Sequence, residues 1–80
     1  MKPDSFKTLD VRPHLARGEE PFGVIRARID ALAAGQGLTV LAPFPPSPLI
    51  ELLKSEGFEV SMERRHDGCW AVSFWREDHA

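Results

Sequence analysis

The chain has one cysteine, Cys69, among its 80 residues, and no tyrosine. A lone thiol can form neither an internal disulfide nor a cysteine-based zinc site, so the fold has to rest on packing. Long hydrophobic runs are also missing. No segment approaches the roughly 20 apolar residues of a membrane span, and MKPDSFKTLD at the start has no apolar stretch of signal-peptide length. Charge of one sign is not in excess: ten Lys and Arg face twelve Asp and Glu, for a formal net charge of −2. That balance gives no reason to expect nucleic acid or an anionic membrane as a partner. These absences lead to the expectation of a cytoplasmic protein without a metal or other cofactor.

What is present is ordinary globular material. With 42% hydrophobic and 28% charged residues the chain can build a core. Eighty residues bury only roughly 60–65% of their unfolded surface, so every apolar element must share that core. No repeat, low-complexity tract or long linker divides the chain. It reads as a single domain over residues 5–76, with flexible termini at 1–4 and 77–80.

The periodicities place the elements. SFKTLDV (5–11) alternates, with Lys7, Leu9 and Val11 on one face and Phe6, Thr8 and Asp10 on the other, which is strand behaviour. RPHLARGEE then reads as a loop. Pro21 suits a first helical position, and Phe22, Ile25, Ile29 and Leu32 follow at helical spacing as a core stripe until Gly35 supplies a stop. GLTVLA (37–42) is a short β-branched and leucine run, hence a strand, and PFPPSP is an extended loop because its prolines cannot continue a ladder. Ser47-Pro48 opens a second helix with Leu49, Leu52 and Leu53 as its stripe and Gly57 as its end. The remainder is a hairpin around Asp67-Gly68. A two-residue turn would pair Met62 with Ser73 and Glu63 with Val72, setting apolar against polar groups on both faces. A three-residue loop, His66-Asp67-Gly68 with Gly68 in the left-handed region, instead pairs Met62 with Val72, Val60 with Phe74 and Arg64 with Trp70, and is the expected register.

The order strand-helix-strand-helix-strand-strand, with right-handed crossovers, implies a two-layer α/β sandwich: a four-stranded mixed sheet with two helices on one face. The other face should be open. It would carry Cys69, Ala71, Ser73 and Trp75 from the last strand, Glu59, Ser61, Glu63 and Arg65 from its partner, and Phe6 and Leu41. Phe6, Leu41, Cys69 and Trp75 form a candidate interface, with Trp75 as the leading contact residue.

A second candidate site is the loop before the first helix, with Arg12, His14, Arg17, Glu19, Glu20 and Phe44. Glu19 and Glu20 complement the helix dipole in the simplest reading. In the functional reading Glu20 is a base or ligand aided by His14, although a metal site needs three or four converging ligands. Arg12, His14 and Arg17 could receive an anion, because parallel strands bring both helix starts to one sheet edge. The prolines of APFPPSP are accounted for by the strand exit and helix start, leaving Phe44 to cover the core edge. Trp70 reads as core edge, and Arg64, Arg65 and His66 are too few charges for a nucleic-acid footprint.

LDVR (9–12), the loop after it, the proline at the helix start and the strand order together resemble the TusA-like (SirA-like) superfamily of small bacterial sulfur carriers. More closely, the chain is similar to a neighbouring bacterial family of unknown function, in which LDVRP precedes an EPF-type helix start and APFPPSPL the second helix. The likeness covers residues 8–76 and implies a TusA-like fold. In the carriers the loop ends in Cys-Pro-x-Pro, where free amides and the helix dipole favour a thiolate. The matching dipeptide here is Glu20-Pro21, and Gly23 stands in place of the second proline. The expectation is therefore a small non-catalytic binding or accessory module that contacts a protein partner, or a second copy as a homodimer, through the helix-start loop or the open sheet face. Two alternatives stay open: a carrier component in sulfur or redox-metal metabolism, and an anion-binding sensor.

Overall fold

Apolar alternation and helical spacing resolve into β1 (Ser5–Asp10), α1 (Arg12–Ala16), α2 (Pro21–Asp30), β2 (Gln36–Ala42), α3 (Ser47–Ser55), β3 (Phe58–Arg64) and β4 (Trp70–Arg76). The computed structural model describes residues 3–33, 35–44 and 47–76. Positions 1, 2 and 77–80 of the termini expected to be flexible, and two prolines of the extended loop, lie outside the described residues.

The sheet order is β1-β2-β4-β3. β1 and β2 run parallel, as a helical crossover requires, while β4 is antiparallel to both β2 and β3. One sheet face is closed by α2 and α3. Leu9 and Val11, Leu38, Val40 and Ala42, and Val72 and Phe74 meet Ile25 and Ile29 of α2 and Leu49, Ile50 and Leu53 of α3 in a single core. The architecture is a two-layer α/β sandwich around a mixed four-stranded sheet. Each fully buried side chain of this set contributes on the order of 1.5–3 kcal/mol by leaving water.

The hairpin has the three-residue loop. Arg65 N–H donates to Cys69 O at 2.8 Å, Gly68 N–H donates to Arg65 O at 3.0 Å, and Gly68 has φ of 84°. The pairs are Val60 with Phe74, Met62 with Val72 and Arg64 with Trp70.

Four local expectations are corrected. RPHLARGEE is not wholly loop, since Arg12–Ala16 makes the short helix α1. Pro13 has the φ that a first turn needs, Leu15 N–H donates to Val11 O at 3.0 Å, and the half-buried Leu15 packs on the core. α2 stops at Asp30, before Gly35: Leu32 N–H donates to Ile29 O at 3.1 Å, tightening the exit, and Gln36 Oε1 then accepts from Ala33 N–H at 3.0 Å. Phe22 is not core; it stands in the first turn of α2 and stays 38% exposed, while Ile25 and Ile29 face inward. Leu52 is 50% exposed because Ile50 takes its place beside Leu49 and Leu53, leaving Leu52 about 100° around the helix from their centre.

Candidate functional site

The segment that could have held a nucleophile is built by β1, α1 and the start of α2. Pro21 opens α2, so its missing N–H leaves Phe22 and Gly23 as the first donors. Glu20 has extended backbone (φ −78°, ψ 120°) and turns its side chain back over them. Its Oε1 accepts from Phe22 N–H at 2.5 Å and its Oε2 from Gly23 N–H at 3.0 Å. The amides that would stabilise a thiolate or an outside anion are therefore held by the protein's own carboxylate.

Other charges on this edge are similarly engaged. Arg17 donates to Glu19 through Nε (3.0 Å) and Nη2 (3.1 Å), and His14 Nδ1 lies 2.9 Å from Glu19 Oε1. The Arg17 hydrogen bond, then that of His14, holds the Glu19 carboxyl down to about 2. Arg12 donates to Asp10 through Nε and its backbone N–H, both 2.9 Å to Oδ1, and through Nη2, 2.8 Å to Oδ2. The guanidinium bond keeps Asp10 below the usual carboxylate range. His14 thus meets Glu19 and Arg12 meets Asp10, and among the described residues no hydrogen bond or ion pair joins either of them to Glu20. Among the described residues no group of three or more His, Cys, Asp and Glu side chains is placed to hold a metal ion.

Sequence reasoning missed that the hairpin tip reaches this edge. Arg12 Nη1 lies 3.9 Å from Asp67 Oδ2, and Asp67 Oδ1 accepts from Cys69 N–H at 3.0 Å, the main cause of Asp67's lowered pKa. The signal was the register: Asp10 pairs with Leu41 and Leu41 with Ala71, so Cys69 and the tip lie just beyond the end of β1. The hydrogen bond to Asp10, with that carboxylate's charge, raises the pKa of Arg12. Cys69 is only 3% exposed, its thiol directed at Trp70 O, 3.6 Å away.

Phe44, two residues beyond β2, does not cover the core edge as expected; it is 54% exposed. Phe22 and Phe44 therefore present two rings at the sheet edge where α2 begins and β2 ends. On the opposite sheet face, Trp75 is only 9% exposed, its ring 6.0 Å from that of Phe6 in an edge-on arrangement. Phe6 lies across Gly37, where an added Cβ would run into the ring and come within 3.0 Å of Phe74 O. Leu41 is half-buried between Asp10 and Ala71. Next to the aromatic row, Thr8, Thr39, Ser73 and Ser61 form one line of hydroxyls across all four strands, with Thr39 Oγ1 and Ser73 Oγ 2.9 Å apart. They line an open groove of about 590 Å³ with Glu63 and Arg65.

No helix among the described residues is long and apolar enough to cross a membrane. Comparison with curated proteins and with solved structures finds no match. A family profile does match, over residues 8–76, which takes in β1 from Thr8 to the end of β4, and on that ground the chain belongs to the uncharacterised conserved protein family DUF2249.

Proposed function

We propose that the protein is a small non-catalytic binding or accessory module, and that its contact surface is the helix-start edge bearing Phe22 and Phe44. The observation that carries this reading is the use made of Glu20. Its carboxylate caps α2 through two backbone amides, in the position where the resembling carriers have a thiol. Arg12 and Arg17 are held by Asp10 and Glu19, so the edge offers exposed aromatic rings beside ordered charged groups. Phenylalanine and arginine are both enriched at protein interfaces relative to the rest of a protein surface. The open sheet face is the weaker candidate, because Trp75 is already buried and the groove beside it is polar.

On this reading the protein is a TusA-like domain of a bacterial cytoplasm that shares the carriers' element order without their chemistry. The strand-helix order and the Glu20-Pro21 dipeptide at the matched position support that placement. The burial of Cys69 supports the absence of a carrier role, since a thiol that transfers sulfur has to be reached. Mass spectrometry after incubation with a persulfide donor tests it: Cys69 should stay unmodified, and a stoichiometric sulfur adduct would overturn the non-catalytic reading. A Phe22→Ser/Phe44→Ser variant should unfold at nearly the wild-type temperature while losing any protein that co-purifies with the wild type.

A further inference from the structure

We propose that the chain forms a homodimer through the outer edge of β3, two copies pairing antiparallel about a two-fold axis at Met62, so that their sheets join into one of eight strands. This inference is independent of the helix-start reading. β3 ends the sheet, and among the described residues its backbone has a neighbouring strand only in β4. Its seven residues, FEVSMER, contain no proline; charge is the edge-spoiling device present, in Glu59, Glu63 and Arg64, so pairing needs a register that matches those charges.

Backbone geometry limits the registers. The exchange between Arg65 and the Gly68-Cys69 bulge points the polar backbone groups of Arg65 at β4. Alternation then turns those of Val60, Met62 and Arg64 outward. Two outward sets can face each other about a two-fold axis only if the axis falls at a residue, and the side chains choose which. An axis at Ser61 sets Glu59 against Glu63 of the second copy, and an axis at Glu63 sets that glutamate against itself. An axis at Val60 shortens the overlap and places Glu63 opposite Gly57.

With the axis at Met62, Glu59 stands opposite Arg65 of the second copy, and Glu63 opposite Ser61, in each half of the interface. These are the non-hydrogen-bonded positions, where facing side chains come closest. Among the described residues neither Glu59 nor Arg65 makes a salt bridge within its own chain, and Arg65 acts on Asp67 only at longer range, so both can pair across the axis. Met62, 51% exposed in the single chain, meets its own copy and leaves water. Val60 and Arg64 face each other on the helix side, where the arginine stem can cover the valine.

Sedimentation or light scattering tests the proposal, with Arg65→Glu, the swap Glu59→Arg/Arg65→Glu, and single cysteines at two positions. The wild type should have a mass of about 18 kDa, twice the 9.0 kDa of one chain. Arg65→Glu should halve it while leaving the circular dichroism unchanged, and the swap should restore it. Under mild oxidation Met62→Cys should cross-link, because residues directly opposed at a hydrogen-bonded pair have Cα atoms about 5.5 Å apart, within disulfide range. Ser61→Cys should not cross-link. A wild type that stays at 9.0 kDa at high concentration, an Arg65→Glu variant of unchanged mass, or cross-linking through Ser61→Cys instead of Met62→Cys would each overturn the proposal.

Discussion

Glu20 sits where α2 presents free amides, and its two oxygens accept from Phe22 and Gly23. Removing that cap in Glu20→Ala should lower stability by about 1 kcal/mol, read as a lower urea midpoint with an unchanged slope. Glu20→Cys should show what the position is capable of: a thiol there should ionise below the ordinary value of about 8.5, measured by thiolate absorbance. Glu19 is the second informative residue. Its pKa is about 2 in the folded protein against an ordinary 4.5, so its pairing with Arg17 and His14 stabilises fully above about 4.5 and is lost as pH falls toward about 2. The unfolding temperature of the wild type should exceed that of Glu19→Gln at neutral pH, with the gap closing across that interval. At this scale the sequence announced that two carboxylates precede a proline-led helix. It left undecided which would cap the helix and which would pair, because that depends on how α1 turns the chain before Glu19.

The β3–β4 hairpin shows how far an element can be read in advance. Opposed side chains alone selected the three-residue loop, and the structure has it with Gly68 at φ 84°. Gly68→Ala forces a Cβ into the left-handed region and should cost on the order of 1–2 kcal/mol in thermal or urea unfolding. α1 was not legible: RPHLA spans little more than one turn and has one large apolar residue, Leu15, to show a period, so only its packing on the core reveals it. The exposure of Trp75 was likewise misjudged, because strand alternation gives the face a side chain is on and says nothing of what lies over it. Phe6 lies over Gly37 beside Trp75, a contact between β1, β2 and β4 that no local pattern contains. Gly37→Ala should displace the Phe6 ring and destabilise the fold by about 1–3 kcal/mol, and Gly37→Ala/Phe6→Ala should lose less than the sum of the two single changes.

Over the whole molecule, the two-layer architecture was legible because each apolar stripe needed the same core and crossover handedness left few arrangements. The distribution of exposed groups over the finished surface was not, since it depends on where elements stop. Of the two surfaces the sequence left open, the helix-start edge is the one we propose over the open sheet face, because Trp75 is buried while Phe22 and Phe44 stay in solvent. Photo-crosslinking in cells tests that claim most directly, with a photoreactive side chain in place of Phe44 in one variant and of Thr8 in another. Adducts to a protein partner should form from position 44 and not from position 8. Adducts from position 8 alone, or from neither position, would contradict the account.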